Sequence, residues 1–110
     1  MPDSDAVDLV ERQVRAYQAF DLDAFCACYA TGVVIEDADG QVAIEGQAAL
    51  RERYAEMFAQ RPHVEIVGRL AAGSWVADHE RVQLGEREIE LLVTYHVRDA
   101  RIDRVRMLLG

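Results

Sequence analysis

Lysine is absent from the 110-residue sequence, in which all twelve basic residues are arginine. Schiff-base chemistry, including that of pyridoxal phosphate, requires a lysine amine, and a P-loop requires a lysine to bind phosphate. Both kinds of catalysis are therefore excluded. Proline is scarce at two residues, and a composition of 51% apolar and 29% charged residues is that of a folded globular protein.

Long apolar runs are missing as well. No stretch reaches the roughly 18 apolar residues that a membrane span needs, and the acidic start MPDSDAVD is unlike a signal peptide. We therefore predict a cytoplasmic protein with no membrane partner. A net charge of −8 repels phosphate backbones, so nucleic acid is not an expected partner. The length predicts one domain over residues 1–110.

Signals for metal, disulfide and serine chemistry are also lacking. Cys26 and Cys28 lie two positions apart in a predicted helix and so point about 200° apart, which prevents a mutual disulfide or chelate. The three histidines have no ligand-like spacing. The only serines, Ser4 and Ser74, are predicted to be a helix cap and a turn residue. The sequence therefore predicts no metal site and no serine triad.

Helical patterns fill the first half of the chain, and strand patterns fill the second. Three helices are predicted, in DAVDLVERQVRAYQAF, DLDAFCACYA and QAALRERYAEMFAQ. Between the second and third helices, VVIEDADGQVAIEG predicts a hairpin with Asp39 and Gly40 in a type I′ turn. The remaining segments predict four strands: HVEIVGRLAA, SWVADHERVQL, EIELLVTYHV and RIDRVRMLL. This order indicates an α+β fold with helices on one face of a mostly antiparallel sheet.

Two polar residues interrupt apolar rows. Gln13 lies within the apolar face of the first helix, where an unpaired amide would cost roughly 1–3 kcal/mol, so it must bond to the protein or to a molecule in a cavity. Asp37 follows Val33 and Ile35 in one alternating row of a strand. Either this row ends in the hairpin turn, where acids are common, or it lines a cavity.

The strand ELLVTYHV has two unlike faces. One row is apolar and consists of Leu91, Val93, Tyr95 and Val97. The other row is mixed and consists of Leu92, Thr94 and His96. If the mixed row lines a pocket, the apolar row needs a partner surface, which predicts a homodimer through the outer sheet face. The opposite assignment of the two faces is the alternative.

Three segments, DLDAFCACYATGVVIEDADG, GQAALRERYAEMF and RIDRVRMLLG, together resemble the nuclear transport factor 2-like superfamily, especially its ketosteroid isomerase-like and SnoaL-like members. The resemblance covers about residues 5–110. It implies a cone-shaped fold, in which three helices of the N-terminal half pack on the concave face of a strongly bent, mostly antiparallel sheet. It also implies a deep apolar pocket, a homodimer through the sheet, and chemistry without a cofactor.

The isomerase branch uses an aspartate base, and a tyrosine and a protonated aspartic acid donate to the oxyanion. The resemblance places Asp37 at the position of the base. It places Gln13 and Thr94 at the positions of the two donors, and Tyr54 at that of a supporting pocket tyrosine. Loss of one oxyanion donor can cost ~10²–10³ in rate, so steroid isomerisation itself is not expected. His96 shares a face with Thr94 and could shuttle a proton.

These observations predict a small-molecule pocket protein of the SnoaL-like type that transfers protons, as an isomerase or cyclase, on a small hydrophobic substrate. Asp37 and His96 are the predicted catalytic residues, and Asp37 is expected to be buried in the pocket. The predicted ligand-binding residues are Gln13, Tyr29, Tyr54, Phe58, Thr94, Met107 and Leu109. A non-catalytic ligand-binding or dimerisation module is the alternative. The apolar wall favours a polyketide, terpenoid or steroid-like ring system.

Overall fold

A computed structural model of the protein describes residues 2–109, with side chains from residue 5 onward. The helices are α1 (Pro2–Gln18), α2 (Leu22–Ala27) and α3 (Gln47–Ala59). The strands are β1 (Tyr29–Glu36), β2 (Val42–Glu45), β3 (His63–Ala72), β4 (Trp75–Leu84), β5 (Arg87–Arg98) and β6 (Arg101–Leu109). The predicted α+β cone fold, three helices with a curved and mostly antiparallel sheet, is confirmed.

The strands form a six-stranded sheet in the order β2-β1-β6-β5-β4-β3, with β1 and β6 parallel and the other pairs antiparallel. Two-residue turns join β3 to β4 and β4 to β5, and each begins with a glycine, Gly73 or Gly85, at φ 60°. Positive φ is strained for other residues, which explains the glycines. Helix α1 packs against β3, β4 and β6, whereas α3 packs against β1 and β2. The helices therefore cover one face of the sheet.

An aromatic cluster joins the three helices. Phe25 of α2 packs against Tyr54 and Phe58 of α3 at ring centroid distances of 4.6 and 5.4 Å, and against Tyr17 of α1 at 6.0 Å. Such pairs add about 0.5–1.5 kcal/mol each beyond the burial of their area. A helix of six residues is too short to be stable alone, so these contacts hold α2 in place. As the sequence predicted, the start of α2 is set at Asp21, which is the N-cap residue and whose side chain accepts a hydrogen bond from Ala24 N at 3.1 Å.

Three local predictions are corrected. Helix α1 begins at Pro2, before the predicted cap Ser4, whose side chain lies outside the described residues. Helix α2 ends earlier than predicted, because Tyr29 already pairs with Ile102 of β6 and strand pairing outweighs the local helical pattern. The hairpin of β1 and β2 forms, but a five-residue loop closes it, since only Gly40 has a positive φ, 84°, whereas a type I′ turn needs two such residues. Within the described residues no helix is long and apolar enough to cross a membrane.

The hairpin of β1 and β2 offers a matched test of the core. Val33 is fully buried and Val42 is 54% exposed. We expect Val33→Ala to lower the free energy of unfolding by about 1–3 kcal/mol, because it removes buried methyl groups and leaves a cavity. Val42→Ala should cost less than about 0.5 kcal/mol. Urea unfolding of both variants checks this, and equal losses would contradict the packing described here.

Candidate active site

The helices and the inner face of the sheet enclose a cavity of about 170 Å³. Its wall is mostly apolar and aromatic, and comprises Gln13, Val14, Tyr17, Phe25, Tyr29, Tyr54, Met57, Val64, Glu80, Val82, Leu84, Ile89, Leu91, Val93, Tyr95, Met107 and Leu109. An engineered cavity of about 150 Å³ in another protein binds benzene, so this volume suits a molecule with about one ring.

Strand β4 brings acidic side chains to the inner face. Alternate residues of β4 point towards the helices and are buried: Val76, Asp78, Glu80 and Val82. Asp78 is fully buried and Glu80 is 8% exposed. Their β5 partners across the register include Val93 and Leu91, which also line the cavity. Two carboxyl groups two residues apart therefore lie on a face that is otherwise apolar.

A chain of hydrogen bonds connects Glu80 to three other elements. Tyr29 Oη on β1 donates to Gln13 Oε1 on α1 at 2.9 Å, and Gln13 Nε2 donates to Tyr95 Oη on β5 at 3.2 Å. Tyr95 Oη then donates to Glu80 Oε2 at 3.0 Å. The side-chain amide of Gln13 is thus bonded on both sides, which meets the requirement that its apolar position imposes.

The second oxygen of Glu80 has no hydrogen-bond partner within residues 5–109. In this part of the chain every buried side-chain nitrogen or oxygen without solvent access has a partner, so Oε1 must be accessible. Glu80 lines the cavity, and we therefore infer that Oε1 opens onto it. Burial raises the pKa of Glu80 from 4.5 to about 7, and the charge of Asp78 adds to this, while the Tyr95 hydrogen bond and Arg69 oppose it. Near neutral pH this carboxyl group can therefore both give and take a proton.

Arg69 of β3 neutralises Asp78 rather than Glu80. Its Nε and Nη2 donate to the two oxygens of Asp78 at 2.6 and 2.9 Å, and its Nη1 donates to Glu11 Oε1 at 2.6 Å. The hydrogen bond from Arg69 also lowers the pKa of Glu11. Two carboxylates thus occupy the guanidinium group, so Asp78 is paired, whereas no cation among residues 5–109 is in contact with Glu80.

Two tyrosine hydroxyls on the wall are also unbonded. Neither Tyr17 Oη nor Tyr54 Oη has a hydrogen-bond partner among the residues whose side chains the structure describes. Both hydroxyl oxygens remain accessible rather than fully buried. Burial raises the pKa of Tyr17 to about 12, with a contribution from the charge of Glu80. Burial likewise raises the pKa of Tyr54. Both hydroxyls therefore remain neutral and can donate a hydrogen bond.

The structure brings five of the predicted ligand-binding residues to this cavity: Gln13, Tyr29, Tyr54, Met107 and Leu109. Phe58 is not on the wall, because it packs within the aromatic cluster of the helices. Thr94 lies on the opposite face of the sheet, where it borders a surface depression with Leu70 and Trp75. Within residues 5–109 no group of three His, Cys, Asp or Glu side chains could hold a metal ion.

Asp37 lies in the hairpin loop and not in the cavity, which corrects the prediction for this residue. Its Oδ1 accepts hydrogen bonds from Asp39 N at 2.9 Å and Gln41 N at 3.0 Å, and its carbonyl accepts one from Gly40 N at 3.0 Å. Aspartate is favoured at the first position of such a turn because its side chain satisfies the following amides. The row of Val33 and Ile35 therefore ends in the turn.

The faces of β5 are the reverse of the predicted ones. Leu91, Val93 and Tyr95 face the helices and line the cavity. His96 lies on the outer face, where its Nδ1 is 2.7 Å from Asp103 Oδ1 and its ring is 4.5 Å from that of Trp75. It therefore cannot reach a molecule in the cavity. The mixed row of β5 was predicted to line the pocket because it contains polar residues. In the structure β4, and not β5, supplies the carboxyl groups of the inner face.

Sequence reasoning missed Glu80 and Tyr95 as candidate functional residues. A signal for Glu80 was present, because Asp78 and Glu80 alternate with Val76 and Val82 in one row of β4. Acids in a row with valines on either side indicate carboxyl groups on a face that is otherwise buried. For Tyr95 the apolar row was recognised, but it was assigned to the wrong side of the sheet.

Several solved structures share this fold. One is a protein from Kribbella flavida DSM 17836 described as a ketosteroid isomerase candidate, with a TM-score of 0.91 and 19% identity over 100% of this chain and 81% of that chain. Another is SalBIII, an epoxide hydrolase/cyclase-like enzyme of pyran ring formation in the polyether salinomycin. Its TM-score is 0.88 and its identity 22%, over 100% of this chain and 95% of that chain. A third is an LEH-like epoxide hydrolase of M. tuberculosis, with a TM-score of 0.84 and 21% identity over 100% of this chain and 86% of that chain.

At such identities the structural matches establish the fold alone. No curated protein matches the sequence. A family model described as the SnoaL-like domain matches residues 10–105. Because this model spans most of the sequence and agrees with the observed cone fold, the chain belongs to the SnoaL-like domain family of the nuclear transport factor 2-like superfamily.

Proposed function

We propose that this protein catalyses proton transfer on a compact, mainly apolar molecule, with Glu80 as the acid–base group. The observation that carries this proposal is the Glu80 carboxyl group, which has one oxygen open to an enclosed cavity and a pKa of about 7. A general base or acid works best when its pKa lies near the operating pH. Glu80 takes the role that the sequence assigned to Asp37.

The surrounding groups support this role. The hydrogen bond from Tyr95 fixes Glu80 Oε2, and the Gln13 amide and Tyr29 hold Tyr95 in turn, so Oε1 keeps a constant direction. The free hydroxyl of Tyr54 can donate to an oxygen of the substrate that gains negative charge as Glu80 removes a proton. The base and the donor are thus on the wall of the same cavity.

The similar proteins support an enzymatic role but define neither the reaction nor the substrate. Their descriptions name an isomerase candidate, an epoxide hydrolase and an epoxide hydrolase/cyclase-like enzyme. Substrate pockets usually have about 300–1,000 Å³, so a cavity of about 170 Å³ favours a substrate with one ring over the larger ring systems expected from the sequence.

A non-catalytic ligand-binding protein is the second candidate. It is favoured by the closed arrangement of Gln13, Tyr29 and Tyr95, whose hydrogen bonds with one another and with Glu80 need no ligand to complete them. Such a network can serve only to make the inner face specific and rigid. In that case the Glu80 carboxyl group would contribute to affinity but not to turnover.

We also propose a homodimer through the outer face of the sheet. Leu70, Trp75 and Leu92 lie on this face and are 77, 49 and 51% exposed. Exposed apolar side chains that share one face typically mark an association surface. The row of β5 that would enter this interface contains Leu92, Thr94 and His96, which is the opposite of the row predicted from the sequence.

The acid–base role predicts a specific loss of proton exchange. Glu80→Gln should lower the rate of α-proton exchange of cyclopentanone or cyclohexanone in D₂O by about 10²–10⁴-fold, because the amide cannot accept the proton. Proton NMR of the ketone measures this rate. Glu88→Gln, the same change at an exposed position of β5, should leave the rate unchanged. Equal rates in the two variants would refute catalysis by Glu80.

The raised pKa of Glu80 also predicts a pH-dependent stability. Between pH 4.5 and 7 the unfolded chain has lost the Glu80 proton while the folded chain still holds it, so the free energy of unfolding should fall as the pH rises through this range. The total change amounts to roughly 3 kcal/mol. Glu80→Gln should remove this contribution, so its stability relative to the wild type should rise between pH 4.5 and 8. Urea unfolding across these pH values tests this, and parallel curves would contradict the raised pKa.

A charged residue on the proposed interface tests the dimer. Trp75→Arg should convert the protein from a dimer to a monomer in light scattering at micromolar concentration, because it buries an unpaired guanidinium group in the interface. Val42→Arg, at an exposed apolar position of β2, serves as the control and should remain dimeric. A wild-type protein that is monomeric at these concentrations would refute the proposal.

A further inference from the structure

We propose that the cavity selects small organic cations, namely protonated amines with a body of about one ring, which pair with the free oxygen of Glu80. This inference rests on the proposed function only in using the same cavity and the same carboxyl group. It adds the charge class of the ligand, which neither the family nor the acid–base role defines.

The charges on the cavity wall favour a cation over an anion. Its lining side chains include one carboxyl group, that of Glu80, and no arginine or histidine. Once Glu80 is ionised, an anionic ligand would meet a like charge with no cation on the wall to offset it, which disfavours anions. A cation would meet its only counter-charge at Glu80. The net charge of −8 adds a long-range attraction for cations.

Within residues 5–109 no arginine or histidine is in direct contact with the Glu80 carboxyl group. Asp78 and Glu11 already engage Nε, Nη1 and Nη2 of Arg69 at 2.6–2.9 Å. Among residues 5–109 Glu80 forms no ion pair of its own. An ionised Glu80 would therefore be balanced only by the longer-range charge of Arg69, and a bound ammonium group would supply a direct counter-charge.

The position of the Glu80 carboxyl group also suits an ammonium group. Glu80 is more than nine-tenths buried, and while Tyr95 Oη occupies its Oε2, its Oε1 opens onto the cavity. An ammonium group has N–H donors and no acceptor, so it matches an oxygen that lacks a donor. Tyr17 and Tyr54 have free hydroxyls on the same wall, which can accept a further N–H. The aromatic rings of the wall attract positive charge where it lies over a ring face.

The pairing makes a distinctive prediction about pH. Burial raises the pKa of Glu80, and an ammonium group beside it lowers this pKa, so amine binding below pH 7 must release the Glu80 proton. The affinity should therefore rise about tenfold per pH unit between pH 5 and 7 and level off above pH 7, where Glu80 is ionised before the ligand binds. A neutral ligand of the same shape has no reason to show this slope.

The test uses three ligands with the same ring: cyclohexylamine, cyclohexanol and cyclohexanecarboxylate. At pH 8 we expect calorimetry on the full chain to give an affinity for the amine at least tenfold above that for the alcohol, with no binding of the carboxylate. Glu80→Gln should lose the preference for the amine and keep the affinity for the alcohol, which shows that the cavity is intact. Glu88→Gln, which changes the net charge equally, should keep the preference.

Three results would overturn the inference: equal affinities for amine and alcohol, a preference for the amine that survives in Glu80→Gln, or no binding of the amine. If the ketone exchange reaction depends on Glu80 while the amine shows no preference, the proposed function stands and the cation selectivity fails. If the amine is preferred while no exchange depends on Glu80, the cavity is a cation-binding site without proton-transfer catalysis.

Discussion

A carboxyl group that lies in an apolar wall without a cation is the feature on which the chemistry of this cavity depends. Glu80 is held there by one hydrogen bond, from Tyr95, and Tyr95 is oriented by Gln13 and Tyr29. Each of the four side chains comes from a different element, so the position of the carboxyl group depends on the correct assembly of α1, β1, β4 and β5. The hydrogen bonds among these four side chains therefore form only when the cone is correctly folded, and they then fix the position of the Glu80 carboxyl group.

Strand β4 carries two acidic side chains on the inner face of the sheet, and the cost of burying their charge is avoided in a different way for each. Asp78 forms an ion pair with Arg69, which donates a hydrogen bond to each of its two oxygens. Arg69 also forms an ion pair with Glu11. Glu80 avoids the cost by retaining its proton up to about pH 7. Because Asp78 and Glu11 occupy Arg69, the guanidinium group is not available to pair with Glu80.

The sequence predicted the elements well because each of them has a local cause. Alternation and turn residues delimit β3 to β6 closely, and the apolar stripe of the helices gives the α+β order. Gln13 was correctly recognised as a residue that needs buried partners. The sequence could not say which row of β5 faces inward, because a period of two separates the rows but does not orient them. That orientation comes from the packing of α1 and α3 on the sheet.

The misplacement of Asp37 shows how far a shared fold constrains a site. The resemblance implied an acid near the end of β1, but in this chain that acid completes a turn, and β4 supplies the carboxyl group of the cavity. The inner face of a six-stranded cone offers many positions from which a side chain can reach the same enclosed volume. A proton-transfer group must open onto that volume and titrate near the working pH, and neither condition depends on one particular strand. Chains with this fold can therefore share the cavity while the acidic residue that opens onto it lies on different strands.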